Sequence, residues 1–183
     1  MPERISRRLY RLSNLPVVLI CLLVFLAFSA TQLPAQSAQA AAYSDDAGTP
    51  DTTFFYTPAE LNRMAESYGS DGRQAYVRAR FTFDLVFPLV YGAFLATSLS
   101  FLLGRSLDEA SPWRRLNLIP LAAVLLDLFE NINAALVMAA YPAPQPLAAA
   151  LATIATPLKW LFVGGSFVLL PPAAWISFRK HGD

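Results

Sequence analysis

Cysteine and histidine are almost absent from this chain, and their scarcity excludes several kinds of site. The 183 residues include one cysteine, Cys21, and one histidine, His181, close to the C-terminal end. One cysteine permits neither an intramolecular disulfide nor a CxxC redox centre. One histidine outside the apolar segments excludes bis-histidine haem ligation, histidine-rich metal sites and a Ser-His-Asp triad within a membrane. We therefore expect no metal and no cofactor.

Charged residues are also few. They make up 15% of the chain, with a net charge of +1 at pH 7, which gives no reason to expect nucleic acid as a partner. Hydrophobic residues make up 55% and fall in long blocks. Length and composition together indicate one domain and an integral membrane protein, whose surroundings are membrane lipid.

The segment 116–140 is long enough to cross a bilayer but carries polar residues near its centre. Asp127, Glu130 and Asn131 share one face of a helix, whereas Asn133 lies off that face. Each acid at mid-bilayer costs roughly 2.5–3.5 kcal/mol, and each large apolar residue returns only about 0.3–0.6 kcal/mol. This helix therefore needs neighbouring helices that satisfy its polar face.

The apolar blocks predict an all-α fold, a bundle of four transmembrane helices with an additional short amphipathic helix on the outer side. Five parts are expected along the chain. They are a basic cytoplasmic N-terminus at 1–14, a first membrane helix at 15–30, a flexible outer linker at 31–53, an outer helix plus three-helix membrane core at 54–172, and a cytoplasmic tail at 173–183.

Residues 15–30 allow two interpretations. A basic start, a short apolar run and small residues at Ala38 and Ala40 are typical of a cleaved signal peptide. The gap of about ten residues between the run and that site is long for a signal peptide, which favours a retained membrane helix.

The outer helix has clear start and stop signals. Thr57, Pro58 and Glu60 form a predicted capping box with proline at the first helical position, and Gly69 ends the helix. We expect this helix to lie against the membrane surface or the bundle rather than to hold a ligand. Its predicted apolar face consists of Leu61, Met64, Ala65 and Tyr68.

Within the core, the second helix is expected to run unbroken from about residue 72 to 103, capped by Ser70 or Asp71. A polar loop at 104–115 and an uncharged turn at 141–146 separate the remaining spans. The last span, 147–170, is expected to stop at Pro171 and Pro172.

Basic residues predict the orientation. Nine of them fall in the N-terminus, the 104–115 loop and the tail, against four between residues 63 and 80, where six acids at positions 45–71 accompany them. We expect a multi-pass protein of the cell inner membrane, with both termini in the cytoplasm and residues 31–80 outside.

Ionisable residues occur inside three of the predicted membrane helices. A rise of about 1.5 Å per residue places Asp127, Glu130 and Lys159 at one depth, near the middle of the bilayer. Asp84 is shallower, and Arg80, one turn earlier, is its expected partner. The predicted buried polar cluster comprises Asp127, Glu130, Asn131, Lys159, Asp84, Arg80 and Tyr91.

Two prolines leave helix carbonyls without a backbone donor. Pro88 frees the carbonyl of Asp84, and Pro157 frees that of Thr153, so each needs a neighbouring helix, side chain or water. The residues expected to serve between helices are the hydroxyls of Thr153, Thr156 and Ser166, the amides of Asn131 and Asn133, and the small residues Gly164 and Gly165.

If all its members were ionised, the cluster of three acids, Lys159 and Arg80 would carry one excess negative charge. Burial disfavours that state, so we expect at least one acid to hold a proton at neutral pH. The favoured candidate is whichever of Asp127 and Glu130 Lys159 does not contact. Because charges in a membrane are costly, the cluster indicates a functional site. Two alternatives are an ion pair that fixes helix register and contacts with an unseen partner.

Several local patterns occur together in residues 54–170. In their order and helix spacing they resemble a group of small, uncharacterised bacterial four-helix integral membrane proteins, to which no activity is attached. The resemblance implies the four-helix topology and a retained first helix. The patterns are Tyr56-Thr57-Pro58-x-Glu60, Gly72-Arg73-x-Ala75-Tyr76, Asp84-x-x-Phe87-Pro88-x-x-Tyr91, Asp127-x-x-Glu130-Asn131 and Leu158-Lys159-Trp160.

Three functional hypotheses follow. The first is a buried acid–lysine cluster that binds a small polar ligand or carries protons or ions, with Asp127 and Glu130 as its sites and Lys159 as counter-charge. The second is a non-catalytic accessory subunit of a larger membrane complex. The third is a membrane-embedded enzyme that modifies lipids or isoprenoids with Asp127 and Glu130 as acid and base. Four helices enclose little space, so a homo-oligomer is plausible.

Overall fold

The computed structural model describes residues 2–44, 48–50 and 53–182, which are helical over most of their length. A 3₁₀ segment, Pro112–Leu118, lies directly before the α-helix that begins at Ile119. The α-helices are α1 Pro2–Leu12, α2 Leu15–Ser44, α3 Pro58–Ser67, α4 Gly69–Arg80, α5 Phe83–Ser106, α6 Ile119–Ala140 and α7 Pro146–Gly182.

Four helical stretches are long and apolar enough to cross a membrane, which confirms the all-α bundle and indicates a multi-pass membrane protein. Helices α6 and α7 pack most extensively, and α5 packs against both. Helix α2 lies on the outside against α5, and its most apolar part contains no buried residue. The stretches are Leu15–Ser44, Gly69–Ser106, Pro112–Ala140 and Pro146–Lys180.

The two ends of the bundle have the relative arrangement that the basic residues predict. At one end, Ser6 of α1 donates to Asn117 Oδ1 at 2.8 Å, and Ser106 of α5 donates to the carbonyl of Ala173 at 3.0 Å. Helices α3 and α4 pack on α6 at the other end. The regions predicted to be cytoplasmic therefore lie together, opposite the outer helix.

Helix α1 was not foreseen, although its arginines recur every three or four residues. Buried Ser6 and half-buried Tyr10 contact the 3₁₀ segment, where the Tyr10 hydroxyl donates to the carbonyl of Arg114 at 2.7 Å. Burial raises the pKa of this phenol. The N-terminus is thus a packed helix rather than only a basic tail.

Helix α3 confirms its sequence prediction. The Thr57 hydroxyl accepts from the backbone N–H of Glu60, and the Glu60 carboxylate accepts from the N–H of Thr57 at 2.7 Å. Gly69 follows with φ +63°, a backbone conformation that suits glycine. All four residues of the predicted apolar face are buried against the bundle: Leu61, Met64, Ala65 and Tyr68.

The predicted flexible linker at 31–53 is wrong over its first part, because α2 continues to Ser44. Alanine and glutamine are good helix formers, and the end of this helix packs on the outer helices. The Tyr43 and Tyr68 rings have centroids 5.2 Å apart, and the backbone of Gly72 lies close to Tyr43. Residues 45–47 and 51–52 of the linker lie outside the described residues.

The second membrane helix is not unbroken. It divides at Phe81 and Thr82 into α4 and α5, and α4 begins at Gly69 without the side-chain cap expected from Ser70 or Asp71. The Thr82 N–H donates to the carbonyl of Ala79, while the Thr82 hydroxyl donates to the carbonyl of Arg78 at 2.8 Å. This local hydroxyl bond replaces a helical one, which the apolar pattern does not reveal.

Helix α7 continues through Pro171 and Pro172 to Gly182, so the predicted stop at these prolines is wrong. Ala173 packs against Leu99 and Leu103 of α5, and the bond from Ser106 holds its carbonyl. These tertiary contacts outweigh the helix-breaking tendency of the two prolines.

The close helix approach also differs from the prediction. A Cβ added to Gly164 or Gly165 would meet nothing within 4 Å, so these residues bring no helix close. At Gly92 the added atom would lie 2.3 Å from Val124 Cγ2. Gly92, which sequence analysis missed, is where α5 and α6 approach each other.

Candidate functional site

Charged residues of α6 and α7 meet inside the bundle, as their depths predict. The Lys159 Nζ pairs with Glu130 Oε2 and lies 3.8 Å from Asp127 Oδ1. The exposed fraction of the side chain is 5% for Lys159, 1% for Glu130 and 13% for Asp127. Lys159 is therefore shared by two acids, one enclosed and one at the edge of open space.

Glu130 and Lys159 belong to the enclosed part of the cluster. The Thr156 hydroxyl lies 2.7 Å from Glu130 Oε1 and 2.9 Å from the hydroxyl of Tyr56, which precedes α3. Of these side chains, Thr156 and Glu130 are completely or almost completely buried. We call this set, Tyr56, Thr156, Glu130 and Lys159, the closed half.

Asp127 accepts hydrogen bonds from two further side chains, one on α5 and one on its own helix. The Tyr91 hydroxyl donates to Asp127 Oδ2 at 2.8 Å, and Asn131 Nδ2 donates to Asp127 Oδ1 at 3.1 Å. Arg80 pairs with Asp84 at 2.9 Å and stacks over the Tyr76 ring, 4.3 Å from its centroid. We call Arg80, Asp84, Tyr91, Asp127 and Asn131 the open half.

Asn131 also satisfies the carbonyl that Pro88 frees. Its Nδ2 lies 3.1 Å from the backbone oxygen of Asp84, which confirms that a side chain from a neighbouring helix is needed there. The expectation for Asn133 is wrong, because its amide donates to the carbonyl of Phe129 in its own helix. Thr153 and Ser166 likewise bond within their own helix, so Thr156 alone of the three bridges helices.

A cavity of about 370 Å³ lies beside the open half, between α2, α5 and α7. Its polar lining includes Asp127, Lys159 and Tyr91, but not Glu130. Most of the remaining wall is apolar and aromatic, and part of it comes from α2. Sequence analysis missed the contribution of α2, because the end of this helix was predicted to be a linker. The aromatic wall residues include Phe25, Phe83, Phe87, Trp160 and Phe167.

All seven residues of the predicted polar cluster are brought together, and five of them line the cavity: Arg80, Asp84, Tyr91, Asp127 and Lys159. Fully ionised, the three acids and two bases sum to one negative charge. Arg80 is close to Asp84, and Lys159 is closer to Glu130 than to Asp127. The excess charge is therefore centred on Asp127, at the cavity wall.

Among the described residues, no group of three or more histidine, cysteine, aspartate or glutamate side chains is arranged to hold a metal ion. A search with this chain finds no matching protein family, no similar curated protein and no similar solved structure. The resemblance to small bacterial four-helix membrane proteins stays a prediction.

Proposed function

We propose that this chain is an integral inner-membrane protein whose cavity binds the polar group of a small molecule at Asp127. The observation that carries the proposal is the position of the excess charge, since Asp127 both borders the cavity and shares its lysine with Glu130. A cation or a proton beside Asp127 would balance the cluster. Both termini face the cytoplasm in this proposal, in keeping with the nine basic residues at that end.

The cavity has the properties of a ligand site rather than of a packing defect. Small-molecule sites in proteins range from roughly 300 to 1,000 Å³ and combine apolar walls with a few converging polar groups. This cavity is about 370 Å³, and its polar groups converge from α4, α5, α6 and α7. An ionisable group at this depth in a membrane is expensive, which favours a role beyond packing.

Native mass spectrometry of the protein released from membrane-derived nanodiscs tests this proposal. We expect a bound small molecule on the parent protein, and less of it on Asp127→Asn. Ala40→Phe should displace it, because Ala40 lines the cavity. Ala41→Phe is the matched control, since Ala41 is exposed one residue further along α2 and does not line the cavity. The same bound mass on all four proteins would contradict the proposal.

One observation favours proton carriage as a second candidate. A chain of polar groups runs from Tyr56 at the outer end through Thr156, Glu130 and Lys159 to Asp127. Its widest step is the 3.8 Å between Lys159 Nζ and Asp127 Oδ1. Proteoliposomes with an internal pH-sensitive dye would report proton entry, and Tyr56→Phe should slow it if this chain is the path. Equal rates for Tyr56→Phe and the parent would exclude that path.

A further inference from the structure

The ionisable residues of the cavity lie at its outer end and in its middle, whereas its inner end is apolar and aromatic. Arg80 and Asp84 border it near the break between α4 and α5, at the outer end of the bundle. Along α7, Val163 and Phe167 line it one and two turns beyond Lys159, towards the other end. A ligand that fills this space needs a polar group at the level of these ionisable residues and an apolar body that extends towards the other end.

The aromatic end is bordered by α2, α5 and α7. Phe25 of α2 stacks on Phe94 of α5, with ring centroids 5.0 Å apart, and lies 6.2 Å from Phe167 of α7. Helix α2 otherwise packs mainly on α4 and α5, so the cavity occupies the space between α2 and α7. Trp160 and Phe167, on the α7 side, are each more than one third exposed. We therefore place the entrance for a molecule dissolved in the bilayer between these two helices.

The net charge of the cluster determines which kind of polar group the ligand carries. The five ionisable side chains carry one negative charge in sum when all are ionised, and it is centred on Asp127 at the cavity wall. An anionic group would add to that charge in a low-dielectric site, whereas a cationic group would cancel it. Aromatic rings around the site add a weak attraction for a cation.

We infer that the ligand is a membrane-dissolved amphiphile with a cationic amine head group, which lies beside Asp127 while its hydrocarbon part extends along Phe25 and Phe167. This inference rests on the proposed function and adds the chemical class of the ligand.

The three tryptophans of the chain allow a direct measurement, because Trp160 lines the cavity and Trp113 and Trp175 do not. Trp113→Phe with Trp175→Phe leaves Trp160 as the only fluorophore. In phosphatidylcholine nanodiscs at pH 7, brominated alkylamine, alkyl alcohol and fatty acid of equal chain length are added as quenchers. We expect saturable quenching, with the amine half-saturating at a concentration about tenfold lower than the alcohol, and the fatty acid weakest.

Two controls separate the cavity from the bulk lipid. A protein with Trp113→Phe and Trp160→Phe retains Trp175, which is 61% exposed and lies outside the cavity lining. Its quenching should rise without saturation and without regard to head group. Adding Asp127→Asn to the Trp160 protein should remove the preference for the amine and keep quenching by the alcohol, while Ala40→Phe should remove saturable quenching altogether.

Each outcome has a defined meaning. Equal half-saturation by amine and alcohol would overturn the amine head group but leave a binding cavity at Asp127. A preference for the amine that survives Asp127→Asn would overturn the role of that carboxylate. No saturable quenching by any of the three would overturn entry from the bilayer, and the mass-spectrometric comparison of Ala40→Phe with Ala41→Phe then decides separately whether the cavity binds a molecule.

Discussion

The two halves of the polar cluster use the same kinds of side chain in different surroundings. In the closed half, Glu130 pairs with Lys159 and accepts a hydrogen bond from the Thr156 hydroxyl. Of these three residues, only Lys159 lines the cavity. In the open half, Asp127 and Asp84 are 13% and 15% exposed and face the cavity. The same kinds of acidic and basic side chain therefore join helices in one half and line a cavity in the other.

The difference shows that the presence of a buried charge does not by itself reveal its role. A buried ion pair is compatible with a purely structural function, because it fixes how two helices meet. The cavity beside Asp127, and not the cost of burying it, is what separates the open half from that interpretation.

The largest effect is expected from breaking the closed half. Lys159→Met leaves Glu130 without its cation inside the bundle, and the loss of one member of a buried pair costs about 3–5 kcal/mol. Glu130→Gln should be similarly severe, and the double variant should recover most of the loss. Chemical unfolding in detergent micelles measures all three. Single and double variants that lose equal stability would mean that the two charges do not act as a pair.

A smaller loss of stability is expected from a substitution at the contact between α5 and α6, which positions the open half. Gly92 follows Tyr91, and a Cβ at this position would lie 2.3 Å from Val124 Cγ2. Gly92→Ala should destabilise the protein by about 1–3 kcal/mol through overpacking. It should also weaken ligand binding, because Tyr91 shifts away from Asp127. Gly164→Ala is the control, and it should be neutral or slightly stabilising, since its added methyl meets no neighbour. Equal effects of the two variants would refute the close approach.

The protonation of the open half can be observed without loss of stability. In the ligand-free protein at neutral pH we expect an infrared band of a protonated carboxyl group, which disappears in Asp127→Asn. Asp108→Asn, at an exposed acid outside the cluster, should retain the band. A parent protein without such a band would mean that all three acids are ionised. In that case Lys159 and Arg80 alone would offset them.

The smallest effect concerns the outer helix that follows Tyr56. Hydrogen bonds from the backbone N–H and hydroxyl of Thr57 hold the pKa of Glu60 below its usual value. Because the folded-state pKa is lowered, the carboxylate stabilises the fold above its ordinary pKa, and this contribution is lost as the pH falls through the lowered value. Glu60→Gln should have a lower melting temperature than the parent protein at pH 7, and the two melting temperatures should become equal in acid. A difference that is constant between pH 7 and 3 would contradict the assignment.

Features with a short-range cause could be predicted from the sequence. The capping box at Thr57, the apolar face of α3 and the ion pair of Arg80 with Asp84 each depend on residues within about one or two helical turns. The common depth of Glu130 and Lys159 followed from counting residues along two membrane helices. The sequence predicted that the carbonyl freed by Pro88 needs a donor, but it did not identify Asn131 as that donor, since Asn131 lies on another helix.

Features set by tertiary contacts escaped prediction. The helical course of residues 31–44 depends on packing of Tyr43 against the outer helices, and the course of α7 through two prolines depends on Ala173 and Ser106. The cavity escaped for the same reason, because α2 supplies one wall only when it extends to Ser44. Gly92 gives no signal that distinguishes it from Gly164 until the neighbouring helix is known.

The most direct measurement compares Glu130→Gln with Asp127→Asn in the same nanodiscs, with unfolding midpoint and bound mass as two readouts. The division into halves predicts that Glu130→Gln loses stability, whereas Asp127→Asn folds like the parent and carries less of the bound molecule. If Asp127→Asn were as unstable as Glu130→Gln, or if it kept the bound molecule in full, the open half would not be a binding site and the division would be wrong.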